Sequence, residues 1–204
     1  MSATATPATS DRSDFRTVMV GGTEIGLITA AGVVAFLVVS RQVTAVLPQQ
    51  LLEALIVLAT GVAVSFLPGR MTAARHGEGL AGAAAMGLWG TVVFMAVDII
   101  ALRPLKAYPW TWDAVGGGST WWYLPIWWML GTLLAWTGAI VTADQAARGE
   151  PTLVRSATPA LGGIVVLVLI GRLAGLHVAL PVATGAGFTI TLAVSAVVAL
   201  ARKR

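Results

Sequence analysis

Long runs of apolar residues, separated by short polar connections, dominate the chain. A run of about 20 apolar residues is the length that an α-helix needs to cross a bilayer. Such runs lie at residues 24–46, 50–68, 79–102, 121–143, 157–174 and 178–201. The pattern predicts an all-α fold, a polytopic membrane bundle of about six transmembrane helices arranged as three hairpins.

The polar positions divide the chain into a tail, one membrane domain and one long loop. Residues 1–20 begin polar and small, which predicts a flexible cytoplasmic N-terminal tail. Residues 21–204 contain all six spans and are predicted to form a single transmembrane domain. The connection at 103–120 is rich in tryptophan and glycine, and we expect it to be external.

The basic residues predict the orientation of the bundle. With an even number of spans, both termini lie on the same side of the membrane. That side would carry nine basic residues, Arg12, Arg16, Arg70, Arg75, Arg148, Arg155, Arg202, Lys203 and Arg204. The other side would carry four, Arg41, Arg103, Lys106 and Arg172. Because basic residues collect in cytoplasmic loops, we expect cytoplasmic termini and a multi-pass protein of the cell membrane, of the bacterial inner-membrane type.

Composition supports a membrane protein and excludes several partners. The chain is 57% hydrophobic and 11% charged, whereas soluble domains carry about 25% charged residues. The net charge of +4 is explained by cytoplasmic loops, so we expect no nucleic-acid partner. The expected partners are the lipid bilayer, a small apolar ligand and partner membrane subunits.

The chain lacks the residues that common membrane cofactors require. It has no cysteine, and His76 and His177 lie outside the predicted spans, which argues against a metal cluster or bis-histidine haem. Lys106 and Lys203 also lie outside the spans, so no retinal Schiff base is expected. No GxSxG, HExxH or phosphate-loop motif is present. We therefore predict no cofactor, no metal and no catalytic residue.

Asp98, in VFMAVDIIAL, is the acid placed furthest inside a span. It follows Gly87 by eleven residues, which places the two within about 20° on a helix, so Asp98 should point into the bundle. An ionisable group in a span costs about 2.5–3.5 kcal/mol and usually has a partner or a function. We predict that Arg172 neutralises Asp98, with Arg41 and Arg103 as alternatives. The pair is either structural or part of a ligand or proton site, and a third interpretation is that the carboxyl reaches the outer membrane interface.

Glu53 stands near the start of the second predicted span. An acid at a helix N-terminus is favoured by the helix dipole, and this is the interpretation we prefer for Glu53. The alternative is that Glu53 joins Asp98 in a charged layer.

Small residues recur at every fourth position in two spans. The third span carries Gly79, Ala83, Gly87 and Thr91, and the sixth carries Ala179, Ala183, Gly187, Thr191 and Ser195. Gly171 and Gly175 form a further GxxxG pair. Small side chains let helix backbones approach closely in lipid, so these residues are predicted to be packing positions.

The stretch YPWTWDAVGGGSTWWYLPIWW contains six of the eight tryptophans. Tryptophans commonly form a belt at the membrane interface, and Trp122 and Trp127 fit that interpretation. Another face of the fourth span carries three tryptophans over several turns, which predicts an external-facing aromatic pocket with polar anchors. Its predicted ligand-binding residues are Asp98, Arg172, Trp112, Asp113, Trp121, Trp128 and Trp136.

Two short segments resemble known families. Six short spans together with the run AAGVVA, at 30–35, resemble the substrate-binding components of energy-coupling-factor vitamin transporters. That resemblance implies binding of a vitamin at the external face. The segment YPWTWD, at 108–113, resembles the aromatic and acidic patches of small membrane cyclases of isoprenoids, whose paired glutamates are missing here. Each resemblance covers less than a tenth of the chain.

The favoured function is a non-enzymatic membrane protein that binds a small, partly apolar ligand at its external face as a transport component. One alternative is an accessory, non-catalytic subunit of a larger membrane complex, in which small residues and tryptophans contact partner helices. The other is a membrane enzyme acting on an isoprenoid or lipid, with Asp98 as a general acid or base.

Overall fold

The computed structural model describes residues 11–105, 123–149, 152–176 and 178–202, and every regular element in these ranges is helical. The α-helices are α1 (Phe15–Gln42), α2 (Val46–Met71), α3 (Gly77–Val97), α4 (Tyr123–Ala146), α5 (Leu153–Leu173) and α6 (Leu180–Ala201). A π-helical segment, Asp98–Leu102, continues α3. All six helices are long and apolar enough to span a membrane, which confirms the predicted number of spans and the all-helical fold.

Helix α1 begins at Phe15, inside residues 1–20, which the sequence predicts to be a flexible tail. Asp14 caps it: its carboxylate accepts a hydrogen bond from the Thr17 backbone N–H at 3.0 Å and from the Thr17 hydroxyl at 2.7 Å. The bonds from Thr17 hold the pKa of Asp14 below its usual value. The polar residues after the cap therefore belong to the first turn of α1, where an N-cap satisfies otherwise unpaired backbone N–H groups.

Contacts between side chains fix the relative directions of the helices. Helices α1 and α2 run antiparallel, since Gly32 faces Thr60 and Ser40 contacts Glu53. The pairs α3 with α4 and α5 with α6 are also antiparallel, whereas α1 runs parallel to α3, and α2 runs parallel to α4 and α6. The start of α1 and the end of α6 therefore lie at one end of the bundle. We call the half nearest that end the terminal half, and the other the distal half.

The segment before α1 is fastened to the connection between α2 and α3. The carboxylate of Asp11 accepts hydrogen bonds from the backbone N–H groups of Arg75, His76 and Gly79 at 3.1, 2.9 and 2.9 Å. Burial raises the pKa of Asp11, but these backbone hydrogen bonds outweigh it and hold the pKa below its usual value. Asp11 thus caps the start of α3 from a distant part of the chain.

The small-residue stripe of α3 is a packing face, as predicted. Gly79, Ala83, Gly87 and Thr91 are all buried. A Cβ on Gly87 would lie 2.5 Å from the backbone oxygen of Gly131 on α4, so this crossing needs glycine. The stripe of α6 is only partly buried. Gly187 is buried, Ala183, Thr191 and Ser195 are half-buried, and Ala179 is exposed.

The predicted GxxxG contact is wrong. Gly175 has a φ of +78° and lies in the turn after α5, where an added Cβ would meet no atom within 4 Å. This glycine serves a left-handed turn, a conformation that residues with a Cβ disfavour, and it does not serve helix packing.

Candidate functional site

A cavity of about 930 Å³ lies between α1, α2, α3, α4 and α6, and α5 takes no part in it. Its wall is formed mainly by aliphatic and glycine residues, with four aromatic side chains, Phe36, Phe94, Trp127 and Phe188. Small-molecule sites occupy about 300–1,000 Å³ and are mostly apolar with few polar groups. The size and lining of this cavity suit a partly apolar ligand.

The cavity begins near the middle of the bundle and extends into the distal half. On α4 it is lined by Trp127, Leu130, Gly131 and Leu134, within the first half of that helix. On α6 its lining residues fall between Val182 and Ile190, again in the first half. The cavity therefore lies at the end of the bundle that carries the α1–α2 connection and the π-helical segment.

The closed end of the cavity is the crossing of α2 and α4 in the terminal half. A Cβ on Gly138 would collide with the carbonyl oxygen and carbon of Ser65, and one on Gly69 would lie 2.8 Å from the Cα of Ala139. Backbone contact at this level leaves no room for a ligand. On the terminal side of the cavity, Phe66 and Ile140 belong to the main cluster of buried hydrophobic residues.

Four threonines supply the hydroxyl groups of the cavity wall, which also contains the indole of Trp127. Thr29, Thr91 and Thr189 each donate their hydroxyl to the backbone carbonyl four residues earlier, at 2.8–2.9 Å. Among the described residues, the hydroxyl of Thr60 makes no hydrogen bond. Three of the hydroxyls can only accept a further hydrogen bond, whereas Thr60 can donate or accept.

Asp98 lies beyond the distal end of the cavity wall and is completely buried, as predicted. Its Oδ2 accepts a hydrogen bond from Nε of Arg103 at 2.9 Å, and the same contact is an ion pair. The π-helical segment explains the spacing, since the Arg103 N–H donates to the Asp98 carbonyl five residues earlier at 2.9 Å. This wider turn brings the two side chains to one face of the helix.

The prediction that Arg172 neutralises Asp98 is wrong. Arg172 is an exposed residue in the last turn of α5, and α5 packs mainly on α6. Helix α3, which leads to Asp98, packs on α1, α2 and α4. Asp98 therefore finds its cation on its own helix, at Arg103, one of the two alternatives derived from the sequence.

Glu53 links two helices and does not lie at a helix N-terminus. It is buried, and its Oε1 accepts hydrogen bonds from the Ser40 hydroxyl on α1 at 2.6 Å and the Gln49 amide on α2 at 3.0 Å. Because α2 begins at Val46, Glu53 lies two turns inside the helix, beyond the reach of a dipole argument. It links α1 to α2 in the distal half.

The two described tryptophans of the predicted pocket face outward. Trp128 is 38% exposed and Trp136 is 45% exposed, and neither lines the cavity. Trp127, which the sequence pattern assigns to an interfacial belt, lines the cavity instead and packs against Phe94 with ring centroids 6.2 Å apart. Consecutive residues are about 100° apart on a helix, so a modest error in helix rotation exchanges these roles.

Three predicted site residues, Trp112, Asp113 and Trp121, lie outside the described residues. Phe94, Phe188 and Thr60 line the cavity but are not among the site residues that the sequence predicts. The spacing of Phe94 was a usable signal, since it lies one turn before Asp98 and shares its inward face. Nothing in the sequence distinguishes Thr60 from the other threonines of the spans.

Within the ranges that the structure describes, no group of three histidine, cysteine or acidic residues is placed to hold a metal ion. Comparisons with protein-family models, curated proteins and solved structures find no match to this chain. The class that the fold supports is a multi-pass integral membrane protein, since six apolar helices surround an interhelical cavity.

Proposed function

We propose that this protein binds a small, partly apolar ligand in the cavity of its distal half and serves as a non-enzymatic transport component of the cell membrane. The observation that carries the proposal is the 930 Å³ cavity itself. Its volume is near the upper end of the range for small-molecule sites. Its apolar wall favours a largely hydrophobic molecule.

The polar groups of the wall narrow the chemistry of the ligand. Thr60 is the described hydroxyl able to donate to the ligand, while Thr29, Thr91 and Thr189 offer acceptor lone pairs. A ligand with one or two hydroxyl or amine groups on an apolar body would satisfy them. A fully charged molecule would lose its hydration without gaining a partner in this wall.

Phe94 and Trp127, which line the cavity, would form the aromatic wall of the site in place of Trp128 and Trp136. Asp98 supports the distal end of the bundle through Arg103 and does not line the cavity. A catalytic role for Asp98 is not favoured, because its side chain is only 1% exposed. Roles for Trp112, Asp113 and Trp121 at the mouth remain predictions from the sequence.

We also propose an orientation of the helix bundle in the membrane. The start of α1 and the end of α6 would face the cytoplasm, because the connections at that end carry most of the basic residues. The helices would cross the membrane as three hairpins, and the cavity would open toward the external side. Reporter fusions after residues 75 and 150 test this topology, since an external signal at either position contradicts it.

A second candidate is an accessory subunit of a larger membrane complex. The observation that favours it is the outward ridge of α4, where Trp128, Met129 and Trp136 are exposed, with Met129 at 71%. Trp136 lies near the middle of α4, which is too deep for an interfacial belt. Stoichiometric co-purification of another membrane protein, lost when Trp136 is changed to leucine, would support this candidate.

The experiment for ligand binding compares three purified proteins by native mass spectrometry. Ala186 lines the cavity on α6, so Ala186→Trp should fill it. Ala35→Trp is the matched control, because Ala35 is exposed on α1 and does not line the cavity. We expect wild type and Ala35→Trp to retain one small molecule, with retention at least about tenfold lower in Ala186→Trp.

Two results would contradict the proposal. Wild-type protein without any retained molecule, extracted under mild conditions from its native membrane, would leave the cavity without a ligand. Equal retention by Ala186→Trp and Ala35→Trp would show that the molecule binds elsewhere. Thermal unfolding of both variants checks that each is folded.

A further inference from the structure

We propose that a recess in the terminal half binds a phosphate group, with Arg70 and Arg75 as its cationic ligands. The recess has a volume of about 230 Å³ and lies between the end of α2, the connection to α3 and the end of α4. Arg70 and Arg75 both line it, as do Thr142 and Ala146 on α4. It is separate from the ligand cavity, whose lining residues it does not share.

A tight reversal of the chain brings the two arginines around one recess. The Ala74 N–H donates to the Gly69 carbonyl at 2.8 Å, and the Ala73 N–H donates to the Arg70 carbonyl at 3.1 Å. Ala73 has a φ of +48°, a left-handed conformation that residues with a Cβ rarely adopt. This is the Schellman pattern of a helix C-terminus, and it returns Arg75 toward the end of α2.

The end of a helix normally repels anions through its unpaired carbonyls, but here the carbonyls of Pro68, Gly69 and Arg70 have donors. The Pro68 carbonyl accepts from the Thr72 N–H and hydroxyl at 3.0 and 2.9 Å. The Gly69 and Arg70 carbonyls are occupied by the reversal, and the Thr72 carbonyl accepts from the Arg12 N–H at 2.7 Å. The negative end of the helix dipole is therefore partly screened.

Two carboxylates of the terminal half, Asp11 and Asp144, are also engaged. Asp11 accepts three backbone hydrogen bonds and lies 3.6 Å from Nδ1 of His76. Asp144 on α4 pairs with Arg148. Among the described residues, neither Arg70 nor Arg75 makes an ion pair, and both are exposed. Two guanidinium groups beside a polar recess remain available for an anion.

Phosphate is the anion that matches this arrangement. A guanidinium group is planar and presents paired N–H donors that fit two phosphate oxygens, and it stays charged at any physiological pH. The recess lies at the end of the α2 span, the level at which phospholipid headgroups are found. The phosphate could belong to an anionic phospholipid or to a soluble phosphorylated molecule, and the experiment separates these sources.

The test measures the melting temperature of the full-length protein in detergent as a ligand is titrated. The probes are a short-chain phosphatidylglycerol and, separately, inorganic phosphate, each against chloride at equal ionic strength. The variants are Arg70→Gln with Arg75→Gln, and a control, Arg16→Gln with Arg202→Gln. The control removes two exposed arginines from the same end of the bundle, outside the recess.

We expect phosphatidylglycerol to raise the melting temperature of wild type and of the control. The apparent affinity should fall by at least about tenfold in the Arg70 and Arg75 double variant. An equal rise with inorganic phosphate at the same concentration would assign the site to a soluble phosphorylated ligand. A rise with phosphatidylglycerol alone would assign it to lipid.

Two results would overturn the proposal. One is the absence of any shift in wild type with either probe. The other is an equal loss of affinity in the Arg70 and Arg75 variant and in the control, which would show that net charge alone attracts the anion. Replacing both arginines by lysine provides a second measurement if the glutamine variant does not fold. The lysine variant keeps the charge and should still bind more weakly than wild type, and unchanged binding would count against the site.

Discussion

The glycines on α2, or facing it, are used in different ways in the two halves of the bundle. In the terminal half, Gly138 meets the backbone of Ser65, and Gly69 meets that of Ala139, so α2 and α4 touch. In the distal half, glycines such as Gly61 and Gly185 border the cavity. Lipid gives helices little hydrophobic reason to associate, so close backbone contact must hold them together. A glycine packs a bundle where the backbone or a side chain of another helix lies opposite, and elsewhere it leaves space.

The largest expected effect concerns the ion pair that supports the distal half. Asp98→Asn and Arg103→Gln should each destabilise the protein, toward the lower end of about 3–5 kcal/mol because the Arg103 side chain is 27% exposed. The double variant should lose less than the sum of the single losses, since the two residues share one interaction. Thermal or denaturant unfolding in detergent provides the measurement.

Arg172→Gln is the matched control for this cycle. Because Arg172 is exposed at the end of α5, its replacement should change stability by no more than about 0.5 kcal/mol. A loss as large as that of Arg103→Gln, or strictly additive losses for the Asp98 and Arg103 variants, would contradict the assigned pairing.

The next largest effect concerns the α2–α4 crossing in the terminal half. In Gly138→Ala the new Cβ collides with the Ser65 backbone, which cannot move aside as a flexible side chain can. Overpacking of this kind costs about 1–3 kcal/mol. In Gly162→Ala, on α5, the new Cβ meets nothing within 4 Å, and the protein should gain up to about 1 kcal/mol from the better helix propensity of alanine.

Gly61→Ala sharpens the contrast between the halves. Its Cβ would point toward the Phe188 ring at 3.3 Å, at the cavity wall, so a small movement of the ring can relieve the contact. We expect a loss well below that of Gly138→Ala. Equal losses in the unfolding experiment would mean that the halves are packed alike.

The smallest expected effect concerns the fastening of the N-terminal segment in the terminal half. Asp11→Asn weakens the cap on α3 and should cost about 1 kcal/mol near neutral pH. Because the pKa of Asp11 lies below its usual value of 3.8, its contribution is present above that value and is lost as the pH falls through the lowered pKa.

Unfolding measured between neutral pH and pH 3 checks the sign of this effect. Wild type should lose its advantage over Asp11→Asn as the solution becomes more acidic than pH 3.8. An advantage that grows on acidification would contradict the assigned role of Asp11.

The sequence predicts the six helices well because the length of an apolar run is sufficient to define a span. It also predicts the inward direction of Asp98, since Gly87 marks the packing face eleven residues earlier. The partner of Asp98 depends on the π-helical turn, which changes the phase of the helix and has no clear signature in the chain.

The position of the cavity is harder to predict from the sequence than the six helices are. In a hydrophobic span nearly every residue is apolar, so periodicity does not reveal which face points inward. Trp127 and Trp128 differ by one position, yet the first lines the cavity and the second faces outward. The cavity also depends on how α2 and α4 are placed relative to each other, and the hydrophobic pattern of a single helix does not predict that placement.

The difference between the halves is tested most directly by two cysteine variants of one helix. The chain contains no cysteine, so Thr60→Cys in the cavity wall and Ser65→Cys at the α2–α4 crossing each introduce a unique thiol. Both replace a hydroxyl by a thiol on α2, and Ser65 is fully buried. The rate of modification by a small, uncharged methanethiosulfonate is measured in membranes at a pH of about 9, where an accessible thiol is largely ionised. We predict rapid modification of Thr60→Cys and negligible modification of Ser65→Cys, whereas equal rates, or faster modification at Ser65→Cys, would contradict an open distal half above a closed terminal half.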